Sequence, residues 1–592
     1  MESTAPAVSY KVNLLPERHE LEIELLIPEL EGGATIPLQI PSWVPGDYEF
    51  APFGRDIFDI AACEINTNKP LAVSRVGWHE FQIQRGMGGA RVSYRAYAYS
   101  IPFSEACGIL DSGVGVLLGT RYLRVAGWSG AYRVEYRVPD GWRIHHPAGA
   151  VSVGNRQWEY PNYEILLDTP VVVGHFDSLE RRVAETPFYF VFLDRTLGFA
   201  SQSAAWVDAV ARVAAEFQAI FGFFPFESYT FVLSTHPAFD WGLEHLTSTM
   251  CGLGPDVFVD TQLWATGVRV CAHELFHAWN VRRLRPAPLN DLDLENGSFT
   301  DALWVAEGFT RYYEFLACVR TGTYTVSQFF SAITNYYNHL IDTPAYARVS
   351  ATDSSLASYL NHRKYPGRCN NSIDYYDKGM LLAFSIDAAL RLGTGSDNLD
   401  RAFSEFYQSY VHRQPGYTTR DVIEFFAARL GELRAIIERG AQHPGGLAIE
   451  ILLNELGFRI VAQETRRLGL MFLDQRNAIY GVLDDSPAGG AGVAPDDIPV
   501  AVDGFPFSLK YLAWAAEHDD RVELAVQRGN TSRVFSIIPE AKSKIVSLEW
   551  IGTEKQATRI REWFRTSDFH PAKKQLFALE FYENFHGVET VI

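Results

Sequence analysis

Cysteine is scarce and scattered. Six occur in 592 residues, at positions 63, 107, 251, 271, 318 and 369, and no two stand in C-x-x-C spacing. This excludes a disulfide-stapled scaffold and the paired-cysteine zinc and redox motifs, and the six are expected to be reduced thiols. Basic residues are outnumbered, 52 Lys and Arg against 71 Asp and Glu, for a net charge of −19. A field of that sign argues against nucleic acid as a partner. No apolar run approaches the ~18 to 20 residues of a membrane span. The start, MESTAPAVSYKVNLLPERHE, lacks a basic end and an apolar h-region. These absences point to a soluble, cytoplasmic protein; an exported form with its leader already removed is compatible with the same residues. There is no internal repeat and no low-complexity tract.

What is abundant is core material, with 47% apolar and 14% aromatic residues. The length suggests three or four domains. Residues 1 to 182 read as β-rich. HELEIELLI places Leu21, Ile23 and Leu25 on one face and Glu20, Glu22 and Glu24 on the other, and turn signals separate further alternating runs, so a β-sandwich is expected. From 183 to 450 short strands give way to helices. FYFVFL is a buried strand, and SQSAAWVDAVARVAAEFQAIFG is a helix stopping at Gly222. Another helix starts near Asp260 and is ended by Pro286 and Pro288. Ser298 and Asp301 fit a helix-start box before ALWVAEGFTRYYEFLACV. Residues 456 to 540 form a second β-rich unit, and 541 to 592 are mixed and polar.

The segment VCAHELFHAWNVRRLRP carries His273, Glu274 and His277. Positions i and i+4 share a helix face, so the two imidazoles can bind one ion with Glu274 beside them as general base. A catalytic zinc site needs a third protein ligand and an open position. Glu307, in LWVAEGFTRYY, is the first candidate, because a carboxylate among Trp304, Val305, Ala306 and Phe309 is costly unless a cation compensates it. Glu314 is the rival. The alternative reading is an amphipathic helix whose histidines are satisfied core residues.

HELFHAWNVRRLRP and LWVAEGFTRYY resemble the two metal segments of the glycyl aminopeptidases, a gluzincin zinc metallopeptidase family. WGLEHLTSTM resembles the strand that related aminopeptidases place beside the zinc. DYYDKGMLLAFSIDAALR resembles their Tyr-x-Lys-Gly helix, and PSWVPGDYEF a segment of the family's amino-terminal β-domain. The resemblance implies a multidomain α+β protein with an N-terminal β-sandwich. A thermolysin-like gluzincin catalytic domain of mixed sheet plus helical subdomain follows, then a C-terminal PDZ-like domain. It implies one Zn2+ per chain on His273, His277 and Glu307, with Glu274 as general base. Tyr376 would be the oxyanion donor, with Tyr375 the alternative if the register slips. Glu244, beside Gly242, would bind the substrate α-ammonium. His245 takes the place of the asparagine familiar in related enzymes and is given no role. Arg282, Arg283 and Arg285 read as helix-end charge facing solvent, with a substrate carboxylate as the other reading.

RRLGLMFLD and DDSPAGGAGVAPDDIPVAVDG have the glycine, turns and Val-Asp-Gly ending of PDZ domains. In such a unit a peptide carboxylate sits on the backbone around Leu468, Gly469 and Leu470; the alternative is a β-module that binds nothing. The last residues, GVETVI, place Thr590 and Ile592 as in some PDZ-binding tails, so the tail itself is a candidate ligand, although His518 lies too late to read its hydroxyl. The expected activity is a zinc aminopeptidase acting on peptides with a free amino terminus and a small first residue, glycine or alanine. A zinc endopeptidase with PDZ-mediated capture and a non-catalytic PDZ scaffold are the competing functions.

Overall fold

The computed structural model describes residues 7–592 apart from 49, 52, 100–107, 195, 238, 240–241, 359–364, 474–476, 568, 571–575 and 580–588. Two compact units emerge, Met1–Ser298 with Gln414–Gly416, and Phe299–Arg413 with Tyr417–Ile592.

The first unit is built on strands. Val8–Leu15 alternates buried and half-buried positions along its whole length, and Glu20–Ile27 does the same with Leu21, Ile23, Leu25 and Ile27 inward. Period-two burial of this kind requires a strand with one dry face. The two form a hairpin inside an eight-stranded sheet, where Val8–Leu15 also pairs parallel with Tyr132–Arg137. Two four-stranded sheets complete this β-rich portion. One of them lends Val114, Val116 and Val172 to a core shared with Val191, Val232 and Met250 of the next sheet.

That next sheet has five strands in the order Asp177–Val183, Thr186–Phe192, Tyr229–Ser234, Ser248–Gly252, Gly242–Glu244. The central three run parallel. Parallel neighbours need a crossover, and the helix Ala200–Phe221 supplies it. It buries Trp206, Val207, Val210, Val213, Ala214, Phe217 and Phe221 at three- and four-residue intervals, and ends at Gly222 in the left-handed region. The strand Gly242–Glu244 folds back antiparallel onto Ser248–Gly252 and forms the sheet edge. The helix Thr261–Phe276 packs across both.

The second unit begins with helices, chiefly Leu303–Ala306, Gly308–Arg320, Val326–Asp342, Tyr375–Gly393 and Leu399–Tyr410. After Ile449–Leu456 it turns to strands. Phe458–Arg467 pairs with Glu540–Trp550, and a four-stranded sheet of residues between 498 and 537 packs with the helix Leu509–His518 around Leu512, Ala515, Leu524 and Val526. The polar segment after residue 550 contains a helix, Glu554–Phe564, opened by a Thr553/Gln556 capping box. Its Trp563 stacks on Phe384 at 5.8 Å and donates Nε1–H to the Tyr312 hydroxyl, anchoring it to the helical layer. Among the described residues, no helix is long and apolar enough to cross a membrane, and five cysteines are free.

Candidate active site

The histidine helix starts cleanly. Asp260 caps it, its carboxylate accepting from the N–H groups of Gln262 and Leu263. Residues 267–276 are buried, so His273 and His277 lie one turn apart in a dry environment. Their Nε2 atoms are 3.0 Å apart, with ring planes at 82°. His277 Nδ1 lies 2.7 Å from the Asn280 carbonyl, which can only accept, so Nδ1 carries the proton and Nε2 keeps its lone pair. The chain after the helix is held by Trp279, buried and stacked on Phe221 at 4.9 Å.

Glu274 points at the sheet edge. A Cβ on Gly242 would collide with its Oε1, so the strand approaches the carboxylate as closely as it does only because residue 242 is glycine. Two residues on, Glu244 is 4% exposed, and its Oε1 has no hydrogen-bond partner among the described residues. Gly46, at φ +93°, brings its backbone against the same carboxylate; a Cβ there would lie 2.7 Å from Oε1. Ligand atoms of Glu244, Glu274 and His277 all lie within 4.8 Å of one another.

Glu307 is 1% exposed and occupies the joint between Leu303–Ala306 and Gly308–Arg320. Helical hydrogen bonds run through that joint, from Glu307 N–H to Leu303 O at 2.7 Å and from Arg311 N–H to Glu307 O at 2.8 Å. The expected Ser298/Asp301 start box does not form. Ala302 is the N-cap with no side-chain bond; the Trp304 N–H is accepted by the Ser355 hydroxyl, 51 residues away, and Ser298 instead bridges Asp293 N–H and Asp291 O. A tertiary partner thus replaces the local cap. Glu314, also buried, belongs to no group of possible metal ligands among the described residues.

The Tyr-x-Lys-Gly helix is set against Glu307 by two glycines. A Cβ on Gly308 would run into Gly379, and one on Gly379 would lie 2.7 Å from Gly308 Cα and collide with Trp304 O. Asp374 caps this helix through the N–H groups of Tyr376 and Asp377. Tyr375 is buried with its hydroxyl unpartnered among the described residues, and burial, reinforced by the Glu307 charge, pushes its pKa well up. Tyr376 is half-buried, stacks on Tyr375 at 4.9 Å, and lies with its ring 5.0 Å from the Arg311 guanidinium. Arg311 is itself fully buried in an ion pair with Asp377.

Models of two families match this chain. Residues 266–382, which contain His273, Glu274, His277, Glu307 and Tyr376, match the M61 glycyl aminopeptidase model, and residues 9–175 match the peptidase M61 N-terminal domain. Both matches are to models of the M61 glycyl aminopeptidase family, one for the peptidase segment and one for the N-terminal domain. It is a metallo-aminopeptidase. Its fold is similar to a crystal structure of an aminopeptidase N family protein from Idiomarina loihiensis, at 20% identity and a TM-score of 0.82, covering 94% of this chain and 100% of that one. A crystal structure of an M1 zinc metallopeptidase from Deinococcus radiodurans matches at 14% identity and a TM-score of 0.43 over 74% of this chain and 92% of that one. No curated protein matches.

Around the M61 histidine helix the structure adds a cluster that sequence reasoning missed. Asp168 Oδ1 accepts from Arg282 at 2.7 Å and lies 3.2 Å from His245 Nδ1, while its Oδ2 accepts the Leu246 N–H at 2.7 Å. All three side chains are buried. Burial pushes the Asp168 carboxyl up, but Arg282, His245 and the Leu246 N–H together hold it below its ordinary value. The solvent-facing reading of the arginine run is therefore corrected. Arg282 pairs with Asp168, Arg283 donates to the carbonyls of Leu246 and Ala278, and Arg285 pairs with Glu164. Arg282, through Asp168, and Arg283 staple the end of the histidine helix to the strand loop bearing Glu244, with His245 part of that staple, and Arg285 ties it to the helix Tyr163–Leu167. No local pattern announces this, because Asp168 and Arg282 are 114 positions apart.

Proposed function

We propose that the protein is a zinc aminopeptidase that releases small amino-terminal residues, glycine or alanine, from peptides. His273, His277 and Glu307 hold one Zn2+ per chain. The donor set fits that ion: two imidazole nitrogens and a carboxylate, all buried, with the Nε2 lone pair of His277 set by the Asn280 carbonyl. When bound, the metal supplies Lewis acidity toward the scissile carbonyl and the attacking water.

The chain's own groups do the rest. Glu274 accepts the proton of the attacking water on its carboxylate and returns it to the departing amine. Tyr376, accessible where Tyr375 is not, donates its O–H to the oxyanion that forms on the carbonyl; one such donor contributes on the order of 3 kcal/mol. Glu244 receives the substrate α-ammonium. The observation that carries the exopeptidase reading is its orphaned, buried Oε1. A desolvated carboxylate oxygen with no donor is costly, and an ammonium both supplies the donor and neutralises the charge. A blocked amino terminus leaves that cost in place, which is why the arrangement favours an aminopeptidase over an endopeptidase.

In the same reading, the N-terminal β-rich portion is a sandwich and residues 456–540 are a PDZ-like module. The test is hydrolysis of glycyl- and alanyl-anilides beside their N-acetyl forms, with Glu274→Gln as control. Preferential cleavage of the free amines supports the reading, and equal cleavage of the acetylated forms overturns it.

A further inference from the structure

The edge strand Gly242–Glu244 is three residues long and is paired on one side only, by Ser248–Gly252. So short an edge frays unless its ends are tied. Its carboxylate is not tied directly, since Glu244 Oε1 accepts no hydrogen bond among the described residues. The ties are on the turn that follows. The His245 N–H donates to Ser248 O at 2.8 Å and closes the turn. The Leu246 N–H donates to Asp168 Oδ2 at 2.7 Å, and the Leu246 carbonyl accepts from Arg283 Nη1 at 2.9 Å, so side chains grip both backbone groups of one residue. The Thr247 hydroxyl donates to Ala148 O at 2.6 Å.

Asp168 is itself fixed. It directly follows the helix Tyr163–Leu167, and its own N–H donates to Glu164 O at 2.9 Å. Its Oδ1 accepts from Arg282 Nη2 at 2.7 Å, and the Arg282 N–H donates to His277 O at 3.0 Å. One buried carboxylate therefore ties the turn after Glu244 to the end of the histidine helix. Burial works against the Arg282 charge, but Asp168 and then Glu244 outweigh it and raise its pKa, so the guanidinium stands in the field of the Glu244 carboxylate. Gly46 presses its backbone on that same carboxylate, where a Cβ would come within 2.7 Å of Oε1. Gly46, Ala148 and Asp168 all precede the five-stranded sheet that carries Glu244 and belong to the N-terminal β-rich portion.

We propose that Asp168, with Arg283 and Thr247, forms a clamp that positions Glu244 for the substrate's α-ammonium, so that the N-terminal β-rich portion helps set the selectivity for free amines. The inference rests on the reading of Glu244 as the ammonium acceptor. A charge-assisted hydrogen bond needs its donor within about 2.7–2.9 Å, and a displacement of about 1 Å is enough to lose about 100-fold. A loosened turn lets the Glu244 carboxylate drift on that scale. The loss falls on binding of the amine, because Glu274 stands on the buried, capped histidine helix and keeps its place.

The test measures kcat and KM on glycyl-anilide, zinc content and thermal melting for the zinc-loaded native chain, Asp168→Asn, Thr247→Val, Glu244→Gln and the double variant Asp168→Asn/Glu244→Gln. Asp168→Asn keeps an oxygen for the Leu246 N–H but turns an amide NH2 toward Arg282 and His245, donor against donor. It is expected to raise KM at least about tenfold, with kcat within about threefold of native and zinc content unchanged. Thr247→Val keeps the shape and every charge; it is expected to raise KM about threefold, and it decides the matter if Asp168→Asn does not fold. In the Glu244→Gln background Asp168→Asn is expected to add nothing, the signature of a group that acts through Glu244. A merely structural clamp lowers kcat or zinc content, and does so equally in that background. That result overturns the proposal, as does a native KM in the clamp variants. Glu244→Gln alone keeps the two claims apart. A native KM in it removes the ammonium reading and the clamp's role together, while a raised KM in it beside a native KM in Asp168→Asn and Thr247→Val removes the clamp alone.

Discussion

Gly242 stands where any side chain would displace the Glu274 carboxylate. The edge strand and the histidine helix thus meet at the carboxylate proposed as general base, with no room to spare. Gly242→Ala is expected to lower kcat on alanyl-anilide at least about tenfold by misplacing Glu274, while zinc content stays unchanged because the atoms an added Cβ meets first belong to Glu274. Parallel measurement of kcat and bound zinc checks both halves. A variant with unimpaired turnover would show that Glu274 need not sit where it does.

Glu274→Gln keeps the volume and removes the proton acceptor. The expected loss is about 100- to 10,000-fold in kcat with little change in KM. Steady-state kinetics on glycyl-anilide measures it.

Glu244→Gln separates recognition from chemistry. For a substrate with a free amine, kcat/KM is expected to fall about 100-fold or more, the scale of losing a buried charged hydrogen bond. The preference over the acetylated substrate should collapse with it. A preference that survives would assign amine recognition to another group.

The Gly308–Gly379 crossing is a close helix approach directly beside Glu307. Gly379→Ala forces the two helices apart and is expected to cost about 1–3 kcal/mol, seen as a lowered urea midpoint. Because Glu307 directly precedes Gly308, the same variant should weaken zinc retention, measured by competition with a chromogenic chelator.

Acid sensitivity has a specific source in the first unit. Burial pushes both His145 and His146 down to about 4, with the Pro147 carbonyl partly opposing the shift at His146 and the His145 charge adding to it. A histidine depressed in the folded state stays neutral there while the unfolded chain takes up its proton. Its contribution is therefore full above the ordinary value of about 6.5 and is lost as pH falls toward 4, by at most about 1.4 kcal/mol per pH unit for each group. Urea midpoints between pH 7 and 4 should fall less steeply in His145→Gln/His146→Gln than in the native chain.

The legible parts of this molecule were those written in local pattern. Strand alternation over Val8–Ile27 and the i, i+4 histidines on a capped helix are short-range features that burial and hydrogen bonding then obey. The burial of Glu307 was legible through its apolar neighbours. What escaped were features whose partners lie far apart in sequence. The Asp168 staple is one, and the Ser355 hydroxyl that takes the place of a local cap is another. The helix Glu554–Phe564 escaped because its inward residues, Ala557, Ile560, Trp563 and Phe564, are few against a charged outer face. The approach of Gly46 to Glu244 exists only once the chain is folded.

The most direct measurement is the anomalous difference density of the zinc-loaded crystal at the zinc edge. One peak about 2.0–2.2 Å from His273 Nε2, His277 Nε2 and a Glu307 carboxylate oxygen, together with stoichiometric zinc lost in Glu307→Ala, is the predicted result. Zinc bound elsewhere, or full occupancy retained without the Glu307 carboxylate, would contradict the account.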